Sequence, residues 1–186
     1  MSKSLQYDLM KDGKQYVFDD YLYKLQKKCF RKLRIINFLP FSSRIRDNIL
    51  KHFFGSYGNK NVLKNNFTCN FGFNIFIGEG CYINHNVTIL DSYEVVIGNN
   101  VFIAPNVVIS AVTHPNNYSE RRSLLIKKVI LEDDVWIGAN SVILPGAHIH
   151  KGAVIGANSL VKGEVKSNCI YGGVPSKLIK QLGGRQ

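Results

Sequence analysis

Residues Leu131–Lys166, written in sixes, run LEDDVW, IGANSV, ILPGAH, IHKGAV, IGANSL, VKGEVK. The first place is filled by Leu131, Ile137, Ile143, Ile149, Ile155 and Val161, and the fifth by Val135, Ser141, Ala147, Ala153, Ser159 and Val165. A period of six suits neither a helix of 3.6 residues per turn nor long alternating strands. It suits very short strands joined by tight corners. One aliphatic from each face then points into a shared core, and the small fifth residue leaves room at the corner. Three sixes close one triangular coil, so the stretch predicts a parallel β-helix of hexapeptide repeats.

The same frame holds upstream. From Ile77 it gives IGEGCY, INHNVT and ILDSYE; two residues slip in at Val95 and Val96; from Ile97 it gives IGNNVF, IAPNVV and ISAVTH. FGFNIF, from Phe71, is a weaker copy. Twelve regular sixes predict about four coils, and strands stacked at ~4.8 Å make them roughly 20 Å tall. Gly78, Gly98, Asn99, Gly138, Asn140, Gly156 and Asn158 recur at the corners, where φ > 0 is expected.

Two segments fall outside the period. The frame stops at His114 and resumes at Leu131, so residues 115–130 (PNNYSERRSLLIKKVI) form an excursion that begins as a loop. Long loops on rigid scaffolds often carry function. Residues 1–64 form a basic helical segment. Leu22, Leu25, Cys29, Leu33 and Ile36 lie at helical spacing, and Pro40 separates them from a second helix over Arg44–Phe54. The β-helix is expected over 65–170, and a tail with a short helix over Pro175–Leu182 within 171–186.

With 186 residues, 45% hydrophobic and 20% charged, the chain is globular rather than disordered. It has no apolar run near the ~18 residues of a membrane span, and no apolar stretch of signal type near Met1. Cys29, Cys69, Cys81 and Cys169 form no C-x-x-C pair, which reads as reduced thiols in a cytoplasmic protein. Of the net charge of +11, residues 1–64 carry +9 (ten Lys, four Arg, five acids). That segment could face nucleic acid, anionic lipid or a phosphorylated ligand, or simply be a solvated helix face. No nucleic-acid motif accompanies it, and membrane contact is the weaker reading.

The repeats and their punctuation resemble the hexapeptide-repeat acyltransferases, closest to the maltose, galactoside and nodulation-factor O-acetyltransferases. The likeness runs through Lys11–Tyr16, His52–Gly58, FTCNFGFNIFIG (Phe67–Gly78), INHNVTILD (Ile83–Asp91), IGNNVFIAPNV (Ile97–Val107), THP (Thr113–Pro115), DDVWIGANSVILPG (Asp133–Gly146) and YGGVPSKLI (Tyr171–Ile179). The resemblance implies a left-handed β-helix, against the usual handedness of parallel crossovers. It also implies a homotrimer with sites between subunits, acetyl-CoA as acyl donor without a metal, and a sugar or glycan-precursor acceptor, as in polysaccharide biosynthesis.

An acetyl transfer to a hydroxyl needs a base near neutrality, and imidazole suits it. His114, at a coil edge where the repeat gives way, stands where the family has its base. His52 lies in the basic helix, His148 and His150 flank an inward Ile149 and are expected to face solvent, and His85 is an outside candidate. The tetrahedral oxyanion needs a donor; the resemblance gives this to the Ala139 N–H and places Trp136 beside the groove. Asn84 matches the family's active-site Asn. Asn70, Asp91 and one of Asp19 or Asp20 stand near acceptor-binding positions, although Ser92 replaces the second Asp of the galactoside enzymes. Gly138, Ala139, Gly156 and Ala157 fit a pantetheine groove, with Lys162, Lys177 and Lys180 available to CoA phosphates as point charges.

Three other readings share the architecture. A zinc carbonic anhydrase needs three imidazoles per metal, typically with an H-x-x-x-x-H pair, but the fifth residue after His114 is Ser119. A non-catalytic scaffold needs neither base nor groove. A xenobiotic acetyltransferase differs in its acceptor alone.

Overall fold

The computed structural model describes residues 3–183. Their centre is a triangular parallel β-helix. Its first face stacks Ser56–Tyr57, Ile75–Ile77, Val95–Ile97, Val129–Leu131, His148–Ile149 and Glu164–Val165. The second stacks Val62–Leu63, Tyr82–Ile83, Phe102–Ile103, Trp136–Ile137, Val154–Ile155 and Cys169–Gly172. The third stacks Thr68–Cys69, Thr88–Leu90, Val108–Ser110, Val142–Ile143 and Leu160–Val161. The predicted inward column is in register: Ile77, Ile97, Leu131 and Ile149 pair in turn on the first face, and the fifth-place Val165 takes the next position above Ile149, because the last corner is two residues short. All are essentially buried, as are the fifth-place residues Val135, Ser141, Ala147, Ala153, Ser159 and Val165.

There are more coils than the twelve regular sixes predict. Two faces carry six parallel strands each and the third carries five. The ladders begin at Ser56, inside the segment expected to be helical. The early coils escape a strict period of six because they are longer: Tyr57, Ile77 and Ile97 recur every twenty residues, whereas Leu131 and Ile149 are eighteen apart. The slip falls not at Val95–Val96, which belong to a strand, but in the corner before them.

The corners divide the turn chemistry differently from the expectation. Positive φ falls on Asn66, Asn86, Asn100, Asn106, Asn140, Asn158 and Asn168, and not on Asn99. Gly78, Gly98, Gly138 and Gly156 keep ordinary φ. Three of these, Gly78, Gly98 and Gly138, serve instead the close approach of successive coils. A Cβ on Gly138 would lie 2.6 Å from Ala157 N and 2.7 Å from Ile155 O, both backbone atoms that cannot swing away. Gly138→Ala is therefore expected to destabilise by about 1–3 kcal/mol. Urea unfolding checks this, and a loss below about 0.5 kcal/mol counts against the close-packed corner.

Both ends of the β-helix are closed. Below, α1 (Leu5–Lys11), α2 (Asp20–Phe38) and α3 (Arg44–Lys51) begin at the side-chain caps Ser4, Asp19 and Ser43. Cys29, Leu33 and Ile36 of α2 and Leu50 of α3 join the main core, while Leu22 packs with Met10, Tyr16, Phe71 and Ile126 in a second one. Arg46 is fully buried. It donates from Nε to Ile36 O (2.7 Å) and from Nη1 to Leu63 O (2.6 Å), tying the end of α2 to the first coil. Above, Lys177–Gln181 is a strand antiparallel to Cys169–Gly172, not the short helix expected over Pro175–Leu182. The reason is that the last coil leaves an open strand edge, which a returning strand satisfies and a helix would not. Gly184, Arg185 and Gln186, also assigned to that tail, lie outside the described residues. All four cysteines are free and buried; Cys29 Sγ and Cys69 Sγ are 3.7 Å apart.

Candidate active site

Every irregularity in the repeat falls at one edge, the corner between the third and first faces. It holds Asn70–Asn74 in one coil, Asp91–Glu94 in the next and the excursion 111–128 above them. The excursion is a hairpin rather than a plain loop. Val112–Thr113 pairs with Ser123–Ile126 around a single turn at Tyr118–Glu120, and Tyr16–Val17 adds a third strand. The N-terminal segment is thereby docked against the corner, and Phe18 stacks on Phe71 at 6.2 Å.

His114 lies on this hairpin, exposed, at the mouth of a groove of ≈ 590 Å³ lined by Val17, Phe18, Gln26, Arg121, Arg122 and Leu124. Its Nδ1 is 2.7 Å from Arg121 O and 3.2 Å from Ser123 O. Both are acceptors, so Nδ1 carries the hydrogen and donates it. In the neutral ring the lone pair is then on Nε2, the atom a general base uses.

Below the groove the corner is held by Asp91, which is fully buried. Its Oδ1 accepts the N–H groups of Asn70 and Phe71 (both 2.9 Å), and its Oδ2 accepts that of Gly72 (2.7 Å). Burial pushes its pKa up to about 7, against the opposite pull of those N–H groups. The expectation that Asp91 binds acceptor is corrected: no oxygen of it reaches solvent, because the widened corner folds over it. Its neighbours are better placed. Asn70 Nδ2 donates to Ser92 Oγ (3.2 Å), and Gln26 Nε2 of the groove wall contacts Asn70 Oδ1 at 3.5 Å. Asp19 caps α2 through its Oδ1 to Leu22 N (2.9 Å), next to Phe18 in the groove, while Asp20 is exposed in the first turn.

The other predicted residues gather at a different edge, the corner between the second and third faces. Gly138 N–H donates to Ile155 O (2.8 Å), Asn158 N–H to Ala139 O (2.8 Å) and Gly156 N–H to Tyr171 O (2.8 Å), stacking Gly138, Ala139, Gly156 and Ala157 into one strip of small residues. The Ala139 N–H enters none of the hydrogen bonds among the described residues; in the coil below, the matching residue is Pro105, which has no N–H. Trp136 stands outward beside this strip, 54% exposed, so it is not a core residue of the single chain. Asn84 is on the same edge two coils down, its Oδ1 accepting the His85 N–H (2.8 Å); no hydrogen bond joins it to His114. Lys177 and Lys180 are exposed on the returning strand above the strip, but Lys162 is at the edge that carries His114.

Of the remaining histidines, His52 is exposed at the end of α3, with Nδ1 at Asn48 O, and His85 is exposed. His148 and His150 do not simply face solvent: both are held by Glu132. Phe18, Gln26, Arg121 and Arg122 were not legible as site residues. They come from segments with no repeat, and the signal that could have found them is the clustering of all period slips at one corner.

A family model described as bacterial transferase hexapeptide (six repeats) matches residues 128–163. The chain is 36% identical over 142 residues to the galactoside O-acetyltransferase of Escherichia coli K12, covering 75% of this chain and 70% of that one. It superposes on the maltose O-acetyltransferase of Clostridium difficile 630 with a TM-score of 0.91 at 32% identity, covering 98% and 100% of the two chains. On a galactoside acetyltransferase in complex with coenzyme A the TM-score is 0.89 at 28% identity, covering 97% and 92%. The chain belongs to the hexapeptide-repeat acetyltransferases, and its β-helix is the left-handed one of that family.

Proposed function

We propose that the protein is an acetyl-CoA-dependent O-acetyltransferase that acts on a hydroxyl of a sugar or sugar-containing precursor, with His114 as general base. The observation that carries this is the His114 ring, whose Nδ1 is committed to two carbonyls at the mouth of a groove. The similarity to O-acetyltransferases, one of them solved with coenzyme A, supplies the donor. In this reading Nε2 takes the acceptor hydroxyl's proton as the oxygen attacks the thioester carbonyl. The free Ala139 N–H receives the oxyanion. Collapse expels the CoA thiolate, which takes the proton back from the imidazolium, leaving an acetyl ester and CoA thiol.

One chain cannot assemble this site. His114 and the Gly138–Ala139 strip lie on opposite edges of the third face. A second copy laying its strip against the His114 edge completes it, which supports a homotrimer. The outward column of Tyr82, Phe102, Trp136 and Val154 beside the strip gives that contact an apolar surface, with Phe102 and Trp136 about half exposed. Arg121 and Arg122 in the groove, and a depression along α2 lined by Lys24, Lys27, Lys28 and Arg31, favour an acceptor with negative charge, such as a surface-polysaccharide precursor. A thiol-release assay with acetyl-CoA against sugars, sugar nucleotides, oligosaccharides and aminoglycoside-type drugs tests this. Turnover with sugar nucleotides above neutral sugars is expected. Turnover with drugs alone favours the xenobiotic reading, none at all the scaffold, and full activity in a sedimenting monomer overturns the shared site.

CoA binding is expected to weaken with added salt, because its phosphates meet exposed lysines. Replacing Lys162, Lys177 and Lys180 together by Ala should raise the CoA Kd at low ionic strength and flatten the salt dependence. Titration calorimetry giving the parental Kd for the triple variant rejects their role.

A further inference from the structure

The upper part of the first face carries a cluster that the acetyl transfer does not use. Glu132 follows the fourth strand of that face, His148 points outward from the fifth and His150 follows it, and Glu164 points outward from the sixth. A single oxygen, Glu132 Oε1, lies 2.7 Å from His148 Nε2 and 3.0 Å from His150 Nδ1. These three donor atoms are within 4.8 Å of one another. The two imidazole rings are 4.0 Å apart and tilted by 33°, so both nitrogens converge on the carboxylate.

We propose that Glu132, His148 and His150 form a site for a divalent transition-metal ion such as zinc, which ties together the last three coils. The donor set, two imidazole nitrogens and one carboxylate oxygen, suits zinc and its neighbours rather than calcium or magnesium. A tetrahedral zinc with bonds near 2.0–2.1 Å places its ligand atoms about 3.3 Å apart. The two carboxylate–imidazole spacings of 2.7 and 3.0 Å would therefore open by roughly half an ångström or less, and the ion takes the place of the protons that now bridge Glu132 to the rings.

A second, independent observation supports a metal here rather than a chance ion pair: outer contacts are already in place for two of the three ligands, His150 and Glu132, while His148 Nδ1 is 3.7 Å from Glu164 Oε2. Metal-bound histidines almost always donate their other N–H to a carboxylate or carbonyl, which fixes the ring. His150 Nε2 does this to Glu164 Oε2 at 2.7 Å. The free oxygen of the ligand carboxylate, Glu132 Oε2, accepts the Lys151 N–H at 2.9 Å. Lys151 Nζ is turned toward Asp134 at 3.7 Å, so it pairs with a neighbouring acid. The fourth position is open to water. The site is on the first face, away from the Gly138–Ala139 strip, so the ion braces the coils and takes no part in the transfer.

The test uses the full chain stripped with a chelator, titrated with Co²⁺ by visible absorption and with Zn²⁺ by calorimetry. One ion per chain is expected, with the visible bands of a low-coordinate Co²⁺. Zinc at about a hundred times its Kd should raise Tm by roughly 5–10 °C. His150→Ala should abolish both signals, and Glu164→Gln, which alters only the outer contact, should weaken binding about 10–100-fold. His52→Ala should change nothing. If His150→Ala does not fold, the Glu164→Gln titration decides. The proposal is overturned by a parent protein without Co²⁺ bands, or by parental affinity in either cluster variant.

Discussion

Replacing His114 by Ala is expected to lower turnover by about 10²–10⁴-fold while leaving the β-helix, its assembly and CoA affinity intact. The side chain is exposed on a hairpin outside the repeat, and among the described residues its only hydrogen bonds are to the hairpin's own carbonyls, Arg121 O and Ser123 O. Losing it therefore costs little folding energy, since exposed substitutions outside the core are usually small in effect. The loss belongs to kcat, because the proton leaves the acceptor as the bond forms. His85→Ala should cost far less. Steady-state kinetics with saturating acceptor settle the matter: a His114→Ala enzyme retaining a tenth or more of parental turnover is incompatible with His114 as the base and points to His85.

Asp91→Ala is expected to destabilise the fold by about 3–5 kcal/mol at pH 5. Three backbone N–H groups, of Asn70, Phe71 and Gly72, lose their acceptor, and an unsatisfied buried donor costs about 1–3 kcal/mol. Asp91→Asn is no remedy, because one side of an amide is a donor and would meet another N–H. The penalty should also depend on pH. Burial lifts the Asp91 pKa from 3.8 to about 7 in the folded protein, so between those values the folded state holds a proton that the unfolded state has lost. Stability from this group is therefore full below pH 4 and falls as pH rises through 7. The cost of Asp91→Ala should shrink between pH 5 and pH 8. Urea unfolding at both values measures it; a penalty under about 1 kcal/mol denies the clamp, and a pH-independent one denies the buried titration. Because the 70–72 corner carries Asn70 toward Gln26 in the groove, the same variant should raise the acceptor KM.

The sequence alone determined the β-helix, because its core obeys a local rule. Each inward residue, from Ile77 to Val161, sits one short strand and one corner from the next, so the period is visible without tertiary knowledge. It also determined His114 as a residue apart, since a His where the period stops has no packing reason to be there. Only the tertiary structure decided what the slips in that period do. The early coils stack residues twenty or more positions apart, which brings Asn70, Asp91 and the excursion to one edge. That edge buries Asp91 instead of offering it to a ligand, and docks Tyr16–Val17 beside His114. Stacking likewise placed the Ala139 strip on the opposite edge of the same face, and aimed His148 and His150 at Glu132, eighteen residues before His150. A period tells which residues point inward. Which outward residues become neighbours depends on the number of residues in each coil, and that number changes at the corners where the periodicity fails.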